Sequence, residues 1–299
     1  MTRYAIVGAG GQLAFDLARA CPAPGALARL GHADLDLLDR ARVRQVLGDL
    51  RPQVVLNGAA YNQVDRAEDE PARAFALNAE AVGNLAETCQ AIGATLVHFS
   101  TDYVFDGRKT SPYLEDDAPN PLSAYAESKL AGERLAQARC ERAFVVRVCG
   151  LYGVARSAGR GGTNFVETML RLAAEGRAIR VVSDQVLAPS YTVDVSRAVW
   201  RVLAGGRPGL YHVTSAGATS WYDFARAIFR LAGITPDLTP VTAAEYGARA
   251  RRPPYSVLAH GGLAALGADD LRAWPEALAT YFSERATAPT ATAPAPPGS

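Results

Sequence analysis

The chain has 299 residues, 49% hydrophobic and 20% charged, a balance that suits one large or two modest globular domains. Its 31 basic and 30 acidic residues leave a formal charge of +1, which gives no bulk attraction to nucleic acid or to an anionic membrane. No apolar run near the start has the roughly 7–15 residues of a secretory core, and none approaches the roughly 18 of a membrane span, so a cytoplasmic location is expected.

The first segment, RYAIVGAGGQLAFDLARA, reads as a buried strand, a glycine turn and an amphipathic helix. Gly8, Gly11 and Ala14 stand three apart in it, with Gly10 between. Glycine lets the backbone turn tightly and approach a pyrophosphate, and the helix start supplies N–H donors and partial positive charge. An ordinary βα turn would also accept these glycines; their place between strand and helix favours dinucleotide binding.

The second strand falls in ALARLGHADLD and ends near Leu30-Gly31-His32. NAD sites carry an acid at that end for the ribose. None is read there, and Arg29 or His32 could face a 2′-phosphate, which leans toward NADP. Asp39, further on in DLDLLD, is a candidate partner for the adenine amino group.

Apolar runs then alternate with helical patterns. QVVLN (53–57), TLVHFS (95–100) and FVVRV (144–148) read as strands. PARAFALNAEAVGNLAETCQAIG reads as one long helix, and SAYAESKLAGERLAQAR as another. Buried strands separated by helices predict an α/β fold, a Rossmann-like doubly wound parallel sheet. After about residue 150 the alternation loosens into GGTNFVETMLRLAAEG, YTVDVSRAVWRVLAGG and SWYDFARAIFRLAG, all helical in pattern. The expected division is a dinucleotide-binding domain over 1–150, with 186–214 packing back on it. A smaller interleaved substrate lobe takes 151–185 and 215–286. The Ala/Pro/Thr-rich stretch 287–299 is expected to be disordered. Cys21, Cys89, Cys140 and Cys149 are scattered, as are the four histidines, so neither a zinc site nor a disulfide framework is expected.

Two stretches carry chemistry. STDYVFDG places Thr101 at the end of a parallel strand, where open α/β sheets put their ligands. YAESK places Tyr125 and Lys129 four apart, on one face of a helix. A phenol normally titrates near 10, and a neighbouring ammonium lowers that value by favouring the phenolate. Such a phenol can protonate a carbonyl oxygen as hydride reaches the carbon.

The glycine turn, the S-T-D strand end and Y-x-x-x-K together resemble the extended short-chain dehydrogenase/reductases. AAYNQVDRAE, STDYVFDG, PLSAYAESKLAGE, GGTNFVETMLRLA, DQVLAPSYT, GLYHVTSAGATSWYDFA and RRPPYSVL follow in the order seen in dTDP-4-dehydrorhamnose reductases, over nearly the whole chain. The resemblance implies reduction of the C4 ketone of dTDP-6-deoxy-L-lyxo-4-hexulose to dTDP-L-rhamnose, with NADPH or NADH as donor. It implies that Thr101 orients the carbonyl, Tyr125 protonates it, and Lys129 tunes the phenol and holds the nicotinamide ribose. Gly8, Gly10, Gly11, Gln12 and Leu13 would carry the cofactor phosphates. Leu38 and Asp39 would meet its adenosine, and Ala59, Ala60, Tyr61 and Asn78 would border it. Val64, Asp102 and Tyr103 would line the sugar. Asn164 and Arg252 would face the nucleotide of the substrate, although a helix cap and a surface ion pair compete as their roles. Some family members use magnesium at a dimer contact; no carboxylate cluster commits this chain to one, and a homodimer stays open.

Two positions matter. Related 4,6-dehydratases carry T-D-E where this chain has Thr101-Asp102-Tyr103, and a phenol is a poor base at neutral pH. The site therefore reads as one that reduces a ketone without eliminating water. Gly150, in VRVCGLYG, stands where the family usually has a tryptophan near the sugar. A large aromatic platform is therefore expected to be missing, leaving a different sugar nucleotide, or the usual one held by other groups. A 4-ketoreductase for another deoxysugar and a non-catalytic NADP-binding regulatory subunit are the competing readings.

Overall fold

The computed structural model describes residues 3–155 and 164–287. In chain order the first half holds β1 (Tyr4–Val7), α1 (Gln12–Arg19), β2 (Leu27–Leu30), α2 (Arg40–Leu50), β3 (Val54–Asn57), α3 (Pro71–Phe75), α4 (Ala81–Ile92), β4 (Thr95–Thr101), α5 (Ala124–Arg139) and β5 (Ala143–Val148). The second half holds α6 (Phe165–Ala174), β6 (Ile179–Val182), β7 (Val186–Leu187), α7 (Thr192–Gly205), β8 (Gly209–His212), β9 (Thr219–Ser220), α8 (Trp221–Ala232), β10 (Leu238–Val241), α9 (Ala243–Tyr246), α10 (Gly261–Ala265) and α11 (Trp274–Thr287).

Six strands pair in the order β2-β1-β3-β4-β5-β8, all parallel. Both faces are covered, which is why the strands read as continuous apolar runs. Ile6 points to the face that holds Leu13 and Leu17 of α1 and Val195 and Val199 of α7. Its neighbours Ala5 and Val7 point the other way, onto Val43 of α2 and Val82 and Leu85 of α4. The chain steps from β1 to β2 on one side and to β3 on the other. This order reversal opens a crevice at the C-terminal ends of β1 and β3, where such sheets bind ligands.

The predicted helix over PARAFALNAEAVGNLAETCQAIG is interrupted. Residues Ala76–Glu80 form a π-helical turn between α3 and α4. Its periodicity differs too little from that of an α-helix to be visible in the apolar pattern.

The smaller lobe is built on α6, α8 and α11, the parallel pair β6–β10 and the antiparallel pair β7–β9. Tyr152, Tyr191 and Tyr281 lie fully buried at its centre with Phe224. Within 186–214, α7 packs on the sheet through Val195, Ala198 and Val199, β8 joins its edge, and β7 pairs instead with β9. Leu263, Ala268 and Leu271 also depart from the expected division: they join the sheet core because the chain crosses back over β8 there. Thr287, placed at the start of the tail from the sequence, is the last residue of α11; 288–299 lie outside the described residues.

All four cysteines are free and buried. Among the described residues no helix is long and apolar enough to cross a membrane, and no group of His, Cys, Asp and Glu is arranged to hold a metal.

Candidate active site

The glycine turn closes the crevice from below. Gly8 has φ +69°, a conformation that costs an L side chain free energy. A Cβ there would stand 2.5 Å from the Ala59 nitrogen, so only glycine lets the β1 and β3 loops touch. Gly11 caps α1 without a side-chain hydrogen bond. The first N–H groups of α1 have no intrahelical partner, and Gly11, Gln12 and Leu13 line the cavity above them. Ala59 and Ala60 form the facing wall. A glycine cradle against an open, positively polarised helix start fits a dinucleotide pyrophosphate.

The other residues expected at the cofactor make the following contacts within the chain. Gly10 is exposed at the tip of the turn, and Leu38 is an exposed apolar side chain. Asp39 caps α2 by accepting the Arg42 N–H at 2.9 Å. Asn78, in the π turn, is buried and does not line the cavity. It accepts the Tyr61 N–H at 2.8 Å and donates to the Tyr61 carbonyl and to Ser128 Oγ, so it holds the loop after β3. Tyr61 packs with Ala67, Ala74 and Tyr125, and its phenol donates to Glu70. The reading of β2 as ending without an acid needs correction. The chain turns back after Gly31, and Asp34 accepts the Gly31 N–H at 2.8 Å, which puts a carboxylate at the strand end.

Thr101, Tyr125 and Lys129 meet in this cavity of about 210 Å³. α5 starts at a Ser123 cap, whose hydroxyl accepts the Ala126 N–H, so Tyr125 lies in its first turn and Lys129 one turn later. Lys129 is 3% exposed and donates to the Phe99 carbonyl at 2.5 Å. Burial pulls its ammonium down to about 8, against the pull upward from Glu133. Glu133 is itself locked to Arg147 by two hydrogen bonds of 2.8 and 2.9 Å. Behind the cavity, His98 contacts Asn57 at 3.2 Å. Burial, with the Lys129 charge second, pushes it well below the usual histidine range, so it is neutral.

Thr101 donates to Asp102 at 3.1 Å and accepts the Tyr103 N–H. Asp102 lines the cavity but is 2% exposed, and it also accepts the Cys149 thiol at 3.1 Å. Burial raises it to about 6 against the opposing bonds from Ser256, Cys149 and Thr101. Burial likewise pushes the Cys149 thiol up, keeping it a donor. Tyr103 meets Tyr125 edge to face, with ring centroids 6.2 Å apart. Asp102 is the one carboxylate lining this cavity among the described residues.

A larger cavity of about 870 Å³ adjoins the first, and Asn62, Val64, Tyr103, Asn164 and Trp221 line both. Asn164 caps α6 through Glu167, as the competing reading had it, and also donates to Gln12 Oε1 at 3.1 Å. Arg252 lines the larger cavity and forms the competing ion pair as well: its guanidinium grips Asp65 at 2.7 and 3.0 Å and hydrogen-bonds Tyr103. Gly150 lines the smaller cavity with φ +49°. The expectation that a large aromatic is missing there is corrected. Trp221, from the start of α8, stands beside Gly150, and no local pattern links two positions so far apart in the chain.

A doubly wound parallel sheet, a glycine crevice at its switch point and a Thr–Tyr–Lys set at one strand end define a nicotinamide-dependent oxidoreductase of the extended short-chain type. The family described as RmlD substrate binding domain matches residues 2–287. A dTDP-4-dehydrorhamnose reductase from Mycolicibacterium smegmatis is 42% identical over 92% of this chain and 84% of its own. A probable dTDP-4,6-dihydroxy-2-methyloxan-3-one 4-ketoreductase from Streptomyces antibioticus is 41% identical over 94% and 95%. The crystal structure of dTDP-4-dehydrorhamnose reductase from Bacillus anthracis in complex with NADP superposes with a TM-score of 0.89 at 36% identity, covering 95% of this chain and all of that one. The chain belongs to the RmlD family of sugar-nucleotide reductases.

Proposed function

We propose that this protein reduces the C4 ketone of a nucleotide-linked 6-deoxy-4-hexulose with NADPH, and that the substrate is dTDP-4-dehydro-L-rhamnose, giving dTDP-L-rhamnose. The observation that carries the reading is the meeting of Thr101, Tyr125 and Lys129 in a small cavity that opens into a larger one able to take a nucleotide. The bound nicotinamide supplies the hydride. Tyr125 gives its phenolic proton to the oxygen that becomes the alcohol. Lys129 is mostly charged at neutral pH and favours the phenolate that remains. Thr101 can rotate its O–H from Asp102 to the same oxygen, while Cys149 and Ser256 continue to serve the carboxylate. Asp102 is enclosed and Tyr103 replaces an acid, which supports reduction over dehydration.

A second reading is a 4-ketoreductase for another deoxysugar nucleotide. The 41% identity to the probable 4-ketoreductase of Streptomyces antibioticus supports it. The test is NADPH oxidation with dTDP-4-keto-6-deoxy-D-glucose as substrate, with and without a 3,5-epimerase. Epimerase-dependent oxidation that yields dTDP-L-rhamnose supports the first reading. Oxidation without the epimerase supports the second. NADPH binding with no turnover of any 4-ketohexose nucleotide rejects both.

A further inference from the structure

Trp221 is the first residue of α8, and its place is set by two local features. Ser220 caps the helix through the Asp223 N–H, and β9 pins Ser220 to Val186 of β7. The indole packs on Phe165, with centroids 4.5 Å apart, so its orientation is held from the α6 side. On the other side it meets Gly150. A Cβ on Gly150 would lie 3.3 Å from indole Cη2, 3.3 Å from Leu187 Cδ1 and 3.2 Å from Pro189 Cα, on a backbone already at positive φ. A side chain at 150 would press on the indole, Leu187 and the Pro189 backbone, each of which would have to give by a few tenths of an ångström.

Trp221 is also one of the residues lining both cavities. A substrate with its ketone at Tyr125 and its nucleotide in the larger cavity has to pass its hexose through this junction. The neighbours there are short or polar, apart from Tyr103 and Trp221. We infer that the indole of Trp221 is the platform on which the hexulose ring packs, and that Gly150 is the position that lets it stand there. This rests on the nucleotide-sugar reading above. A pyranose presents C–H groups on its faces and hydroxyls at its rim. An aromatic face buries the former and leaves the latter to polar neighbours.

The test is kinetic and spectroscopic on the full chain. Trp221→Ala should raise KM for dTDP-4-dehydrorhamnose about tenfold, with Trp221→Phe intermediate. kcat and NADPH affinity should stay within about threefold of wild type. Gly150→Ala should also raise KM by pushing the indole out of place. A Trp221→Ala enzyme that keeps wild-type melting behaviour and a KM within about twofold of wild type overturns the inference. If Trp221→Ala fails to fold, Trp221→Phe carries the same comparison.

dTDP-glucose, which has a hexose and no ketone, gives an independent readout through tryptophan fluorescence. Quenching in wild type that disappears in Trp221→Phe, while Trp200 and Trp274 remain, supports the platform. Equal quenching in the variant, or none in wild type, overturns it. Failure of wild type to turn over the ketosugar rejects the functional reading instead, and the fluorescence result then decides the platform.

Discussion

Tyr125 carries the proton in the proposed reaction, and its removal leaves the rest of the site standing. Tyr125→Phe should lower kcat about 10²–10⁴-fold while NADPH still binds, as judged by single-turnover rates and a fluorescence titration. Near-native turnover would take the phenol out of the mechanism. Lys129 offers a test that needs no substrate. Its ammonium is depressed to about 8 by burial, whereas an unfolded lysine titrates near 10.4. Between those values the unfolded chain binds more protons than the folded one, so this group's contribution to stability rises with pH. Below about 8 the charge is buried at full cost. Lys129→Met should therefore gain most in melting temperature over wild type near pH 7, and the gain should shrink toward pH 10. A gain independent of pH would mean that Lys129 is not depressed. The Tyr–Lys spacing was legible because one helical turn is a local fact. The depressed ammonium was not, since its cause is the enclosure contributed by β4 and its flanking loops.

At the scale of elements, the crevice depends on two loops meeting at Gly8. Gly8→Ala adds a Cβ 2.5 Å from backbone and forbids the native φ. It should destabilise the protein by more than about 1 kcal/mol in urea unfolding. It should also weaken NADPH binding by at least about tenfold, because the first turn of α1 must shift. Unchanged NADPH affinity would place the pyrophosphate elsewhere. The strand–glycine–helix order was plain in the sequence, since buried strands and an amphipathic helix differ in period. The π turn that holds Asn78 was not. Nor was the turn that brings Asp34 back to Gly31, because it is held by one side-chain and two backbone hydrogen bonds that leave no periodic trace.

Across the whole molecule, the two lobes are tied at the mouth of the larger cavity. Asp65 comes from the loop after β3, and it accepts from Arg252 and from the Ala250 N–H of the other lobe. The Asp65 side chain is half exposed, so the pair adds little to stability in water, and its effect should fall on the shape of the site. Asp65→Ala should raise KM for the sugar nucleotide severalfold through the freed Arg252, with NADPH affinity and melting temperature near wild type. A large fall in melting temperature with unchanged KM would make the pair a structural tie.

By itself the sequence determined the buried strands of the first half, the glycine turn, the one-turn spacing of Tyr125 and Lys129 and the family, because each rests on contacts between residues near in the chain or on motifs in a fixed order. Tertiary structure alone decided which groups face one another. It set Asp102 behind Thr101 with Cys149, tied Asn78 to the loop after β3, and brought an indole from α8 against Gly150. These juxtapositions follow from how β5, β7 and α8 pack, and packing between distant segments depends on the volume and shape of every neighbour.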